Sequence, residues 1–239
     1  MKKNILIPLL FILSLNVEAQ TLNEVISNIF KNNGSEASWM NISTIYSTGK
    51  MSPNDRSADE VLLSDYDSFK KYEKGNKFYN ERILKTKRFI TATDGTYYWY
   101  SSTEMGKPDL FNKFKRGNPS FESSYPCLML SNYKSKGHKV AFKGKVMVKN
   151  KQTFKLEVVM ENGSTYYLYF DEKTYYPVLS EFNLMFTTTD TYFSNYKKVD
   201  GMMFPFTLNT SLVDKKAVSN IETIQINTKI SDSLFTPIK

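Results

Sequence analysis

Residues 153 to 208 constrain the fold most, because three strand-like runs follow one another there with turn signals between them. Thr153 to Met160 alternates, with Phe154, Leu156, Val158 and Met160 on one face. Glu161-Asn162-Gly163 is a turn, and Ser164 to Phe170 then sets Tyr166, Leu168 and Phe170 on one side. Asp171 to Pro177 leads into an extended stretch, Phe182 to Phe193, which carries Leu184 and Phe186. Asp200-Gly201 turns the chain again before Phe204, Phe206 and Leu208. Period-two alternation bounded by Asn-Gly and Asp-Gly marks antiparallel hairpins. One face of this sheet is large and apolar, and patches of that size are rarely left bare. What covers that face decides what the chain can do.

Residues 1–19 read as separate from the fold. Lys2 and Lys3 are a basic start, and Ile5 to Leu15 is an apolar run too short for the roughly 20 residues of a membrane span. Val17 and Ala19 are small residues at a cleavage site, so the segment reads as a signal peptide cut after Ala19. An uncleaved anchor is the alternative. No cysteine follows the run to accept a lipid. The expectation is a soluble periplasmic protein.

Residues 20–239 suit one domain, with no linker, low-complexity tract or repeat. Aromatic content is 15%, mostly Tyr and Phe, which favour sheets. The single cysteine, Cys127, excludes an intramolecular disulfide. It reads as a small buried residue, with a reactive thiol as the other reading. Removing Lys2, Lys3 and Glu18 takes the net charge from +8 to +7. A basic protein outside the cytoplasm meets anionic lipid or polysaccharide rather than nucleic acid. Residues 134 to 151 hold seven lysines and no acid. Alternation puts Val140, Phe142, Val146 and Val148 on one face and Lys139, Lys143, Lys145 and Lys149 on the other. These lysines are either a solvated face that discourages edge pairing or a patch for an anionic membrane surface.

Thr21-Leu-Asn-Glu24 is a capping box that opens an amphipathic helix with Leu22, Val25, Ile26, Ile29 and Phe30 on one face. Asn33-Gly34 ends it, and Ser35 can cap a short second helix carrying Trp39. Ile42 to Met51 and Phe69 to Gly75 read as strands. Phe89 to Tyr100 makes a hairpin around Asp94-Gly95, where Asp94 is a turn residue. From Glu104 to Leu130 the alternation stops among Pro108, Pro119 and Pro126. Phe111, Phe114, Phe121, Leu128 and Met129 keep that stretch apolar, so it reads as short helical pieces lying over the sheet as a lid. Ile221 to Ile230 is a last strand, and the total is about ten.

Catalytic and metal signatures are absent from the sequence. The one histidine, His138, stands in the lysine-rich segment without the neighbours that a metal site needs. Pairing it with Cys127 would lack an orienting group. No GxSxG, HExxH or glycine-rich phosphate loop occurs. No cofactor is expected.

Three segments resemble a known family: Lys136-Gly-His-Lys-Val-Ala-Phe-Lys-Gly144, Tyr169-Phe-Asp-Glu-Lys-Thr-Tyr-Tyr-Pro177 and Phe193-Ser-Asn-Tyr-Lys-Lys-Val-Asp-Gly-Met-Met-Phe-Pro205. They are similar to the LolA-like, outer-membrane lipoprotein-sorting proteins of Gram-negative bacteria, as are the Asp94 to Tyr100 hairpin and the closing Asn227 to Pro237. The resemblance implies a mainly β, α+β fold. Its core is a curved, unclosed antiparallel half-barrel, with an N-terminal helix and a helical lid on the concave face. It also implies a hollow for acyl chains and a lid latched by a buried arginine, a role assigned to none of Arg82, Arg88 and Arg116.

The expected cavity face is Phe154, Leu156, Val158, Met160, Tyr166, Leu168, Phe170, Leu184, Phe186, Phe204, Phe206 and Leu208. Each also suits ordinary packing under the helices. Three readings follow. The first is a non-catalytic, monomeric carrier for a lipid or lipidated protein. The second is an interaction module of an envelope complex whose cavity is permanently plugged. The third is a hydrolase with an unrecognised site.

Overall fold

The computed structural model describes residues 21–52, 67–84, 87–102, 109–111, 121–184, 187–212 and 215–236. The expected signal peptide, Phe114, Arg116 and Phe186 lie outside the described residues, as do the side chains of Phe111, Phe121 and Leu184. Helices α1 (Leu22–Asn33) and α2 (Glu36–Met40) precede strands β1 (Thr44–Met51), β2 (Asp67–Lys74), β3 (Lys77–Leu84), β4 (Lys87–Thr93), β5 (Tyr98–Ser102) and β6 (Asp109–Phe111). A 3-10 turn (Phe121–Ser124) and helix α3 (Pro126–Leu130) follow. Then come β7 (Lys139–Val148), β8 (Lys151–Val159), β9 (Thr165–Asp171), β10 (Pro177–Leu184), β11 (Thr187–Val199), β12 (Met202–Leu212) and β13 (Lys215–Ile226). A 3-10 turn at Asp232–Phe235 closes the described chain.

The strands form one 13-stranded sheet in the order β6-β5-β4-β3-β2-β1-β13-β12-β11-β10-β9-β8-β7. Every pairing in it is antiparallel. Strands β6 and β7 are its two edges, so the sheet is not closed. The chain starts in the middle with β1, runs out to one edge, crosses through α3 to the other edge, and returns to pair β13 with β1.

Local chemistry explains the helix ends. The Thr21 hydroxyl accepts from the Glu24 backbone N–H, and the Glu24 carboxylate accepts from the Thr21 N–H at 2.8 Å. The Ser35 hydroxyl accepts from the Ser38 N–H at 3.1 Å to cap α2, and Pro126 opens α3, where its missing N–H costs nothing. These three helices cover one face of the sheet, here called the inner face. Val25, Ile29, Trp39, Met129 and Leu130 are buried there against Phe154, Leu156, Leu168, Phe170 and Phe204. Trp39 and Phe204 have ring centroids 4.9 Å apart.

On the outer face the described residues form two smaller clusters. Tyr79, Ile90, Ala92 and Trp99 pack under Ile230 and Phe235 of the tail. The Trp99 indole donates to the Phe235 carbonyl at 3.0 Å. Val148, Tyr169, Val178 and Leu179 form a second, smaller cluster.

The sheet has thirteen strands where the sequence suggested about ten, and three further details differ. Phe182 to Phe193 is not one extended stretch, because it spans the end of β10 and the start of β11, which pair as a hairpin. Residues 109–111 are a strand, since Tyr98, Trp99 and Tyr100 offer a free edge that Phe111, Leu110 and Asp109 complete. The β7 alternation is broken by a bulge between Phe142 and Lys145, where Gly144 takes φ +92°. The extra residue flips the faces beyond it. Val140 and Phe142 therefore pack against the helix-covered core, while Val146 packs beside Val148 in the other cluster.

Candidate binding cavity

Strand period sends alternate residues inward, and where those are large the helices seat on them. Phe154, Leu156, Val158, Met160, Leu168, Phe170, Phe204 and Phe206 are all buried in the helix-covered core. Leu128 and Met129 are buried in the same core from the helix side. Beside this packed half the inner side chains become shorter, and a cavity of about 460 Å³ remains. Tyr166 and Leu208 line it, together with Met51, Phe69, Phe182 and Ile221. Hydroxyls from Ser180, Thr189, Thr191 and Thr210 interrupt the apolar wall.

Both halves of the sheet reach this space. Asn80 on β3 and Tyr166 on β9 line it, although their strands are seven places apart in the sheet. In a flat sheet they would be separated by more than about 30 Å. The sheet therefore curves around the cavity. Gly49 helps on β1, because a Cβ there would stand 2.9 Å from the Phe69 ring and 2.2 Å from the Asn220 carbonyl oxygen. Only a glycine leaves room for the ring and the neighbouring strand.

One wall is a polar tie between β2 and the helical cover. Glu73 is buried, and its carboxylate accepts from the Tyr125 hydroxyl at 2.8 Å and from Ser124 at 3.3 Å. Lys71 Nζ pairs with Glu73 at 2.8 Å and donates to Ser124 at 3.2 Å. Burial, together with the Glu73 charge, pushes the Tyr125 phenol well above its ordinary range, so it stays a donor. The sequence reading passed over this pair. Its signal was present in β2, where Phe69, Lys71 and Glu73 share one face by strand period while Lys70, Tyr72 and Lys74 take the other. Of the arginines considered as a latch, Arg88 pairs with Glu81 at 2.6 Å and bonds the Tyr79 hydroxyl, on the outer face. Arg82 stands over the Phe89 ring.

A second tie holds the cover from the other side. His138 Nε2 and Glu122 are 2.9 Å apart, and His138 Nδ1 accepts from the Glu161 N–H at 3.1 Å. Nε2 therefore carries the proton, and both ring nitrogens are engaged. Lys136 also pairs with Glu122 and donates to the Leu128 carbonyl at 2.7 Å. Cys127 is buried, which pushes its thiol far above the usual range. Among the described residues no group of His, Cys, Asp and Glu is arranged to hold a metal.

The candidate lysines, Lys139, Lys143 and Lys145 on β7 and Lys149 in the turn after it, are placed differently from one another. Lys143 pairs with Glu157 at 2.9 Å, and Lys149 stands 3.9 Å from the Tyr192 ring centroid. Lys145, beyond the bulge, pairs with Glu172 and stands over Phe154. Lys139 is exposed at the start of the edge strand.

No protein-family model matches the sequence, and no curated protein matches it. Solved structures do match in fold. A LolA superfamily protein from Nitrosomonas europaea aligns at TM-score 0.56 and 11% identity, over 91% of this chain and 98% of its own. The fold is LolA-like. A DUF1329 family protein from Desulfovibrio piger aligns at 0.56 and 14%, over 91% and 98% of the two chains. An outer membrane lipoprotein-sorting protein domain from Vibrio parahaemolyticus aligns at 0.54 and 14%, over 89% and 94%. The open LolA-like half-barrel accounts for the curvature, the free edges and the helices on one face. Among the described residues no helix is long and apolar enough to cross a membrane.

Proposed function

We propose that the protein is a non-catalytic periplasmic carrier that binds a lipid, or the acyl chain of a lipidated protein, in the cavity between β2–β3 and β9–β13. The observation that carries this reading is the cavity itself, about 460 Å³ with mainly apolar walls. Pockets of several hundred Å³ with apolar walls and a few polar groups are the usual form of small-ligand sites. Apolar wall exposed to water costs about 25 cal/mol per Å², and each methylene that covers it returns about 0.8 kcal/mol. Taking about 30 Å³ per methylene, near the share of a water molecule, the space holds on the order of fifteen carbons. That suits one chain. The lipoprotein-sorting role named for the Vibrio relative agrees with a lipidated ligand.

A fluorescent single-chain fatty acid analogue tests this. The native protein should bind it with one site. Thr191→Trp, which fills the cavity from β11, should abolish binding while circular dichroism and melting stay unchanged. Equal binding by the filled variant would remove the cavity from the account. The dense packing of Phe154, Leu168 and Phe204 under α1–α3 favours a second reading, an envelope interaction module with its hollow plugged. That reading predicts no binding by either protein.

A further inference from the structure

The cavity's charge is not balanced in its exposure. Lys71 is the one charged residue among the described residues that line it. Its partner Glu73 lies behind it, with its side chain 3% exposed against 30% for Lys71. The Glu73 oxygens already take three donors, from Lys71, Ser124 and Tyr125. The carboxylate thus has little left to offer a ligand. An ammonium has three donors, and Lys71 spends two of them, on Glu73 and Ser124. The third has no partner among the described residues. Ser47 on β1 and Asn80 on β3 are the register neighbours of Lys71, and both also line the cavity. One end of an otherwise apolar and hydroxyl-lined space therefore presents a partly exposed cation flanked by a hydroxyl and an amide.

We propose that the ligand is a single-chain amphiphile with an anionic oxygen head, a carboxylate or a phosphate, seated at Lys71 with Ser47 and Asn80. This rests on the reading of the cavity as an acyl site and adds the polarity and position of the head. The tail then lies along Phe69, Leu208 and Ile221 towards Phe182. A cationic head is disfavoured, because it would face the ammonium while the Glu73 carboxylate is turned away.

The test compares three probes of equal chain length on the native protein by calorimetry: dodecanoate, dodecyl phosphate and dodecyltrimethylammonium. Both anions should bind at least about tenfold more tightly than the cation, the worth of one charge-assisted bond. Which anion binds better separates a free fatty acid from a phosphorylated lipid. The preference should vanish in Lys71→Met and persist in Lys71→Arg. Because Lys71→Met strands a buried carboxylate, the double variant Lys71→Met/Glu73→Gln, which removes both charges, is measured beside it. Equal binding of anion and cation by the native protein, or a preference that survives both methionine variants, would overturn the head assignment and leave the cavity reading standing. Binding of none of the three probes would overturn both.

Discussion

The Tyr125 hydroxyl donates to the buried Glu73 carboxylate at 2.8 Å and so joins the start of α3 to β2 in the wall of the cavity. A hydrogen bond to a buried charge is among the stronger ones, about 1.5–3 kcal/mol. Tyr125→Phe should lower unfolding stability by that order, read as a lower urea midpoint at unchanged slope. It should also raise proteolytic cleavage within residues 121–130, because the cover then loses one of its two described hydrogen bonds to Glu73 and keeps that of Ser124. A midpoint equal to the native one would show that the bond is replaced by solvent.

Packing and cavity residues of the same sheet should respond differently. Leu168 is fully buried under the helices, so Leu168→Ala should cost about 2–5 kcal/mol. Leu208 is half-buried and faces the cavity, so Leu208→Ala should cost far less and weaken binding of the fatty acid analogue. Denaturation and binding measured on both variants check the contrast. Comparable losses of stability would mean that the two positions are packed alike.

Asp171 gives a pH prediction. Burial raises its carboxyl pKa, but the backbone N–H groups of Thr174 and Lys173 and the Lys151 ammonium outweigh that and hold it below the usual 3.8. A carboxylate with a depressed folded pKa adds stability above its unfolded value, and that stability is lost as pH falls through the folded one. Native stability should thus decline from about pH 5 downwards, and Asp171→Asn should flatten that part of the profile. Melting temperatures between neutral and acid pH supply the comparison. Parallel profiles for the two proteins would assign the acid loss to other carboxylates.

Gly144 and Gly49 should differ in what a methyl group costs. Gly144 has φ +92° but open space around it, so Gly144→Ala adds backbone strain alone, on the order of 1–2 kcal/mol. Gly49→Ala would drive a methyl to 2.2 Å from the Asn220 carbonyl oxygen, between β1 and β13 at the centre of the sheet. It should fail to give soluble protein, or melt far lower than Gly144→Ala. Expression and thermal melting of both decide it.

What could be read in the sequence was whatever is local. The Thr21–Glu24 box, the Ser35 cap and the Asp94-Gly95 turn each act within four residues, and each stands where the pattern puts it. The β10–β11 hairpin was hidden because Phe182 to Phe193 keeps its alternation without an Asn-Gly or Asp-Gly signal. The Gly144 bulge was hidden because alternation is counted residue by residue, and one inserted residue puts Lys143 and Lys145 on opposite faces. Apolarity alone pointed to the strands with the largest side chains, and those are the strands on which the helices pack. The open space lies where Ser180, Thr191 and Thr210 are too short to fill it. The Lys71–Glu73 pair looks on paper like ordinary strand polarity. Its meaning depends on Ser124 and Tyr125, about fifty residues away.

The measurement that tests the account most directly is native mass spectrometry of the protein taken from its own cell envelope, followed by solvent extraction and lipid analysis. The account predicts a mass excess of one acyl-chain ligand per chain, released by organic solvent and restored by adding the extract. A clean mass that takes up no added fatty acid, phospholipid or lipopeptide would contradict it.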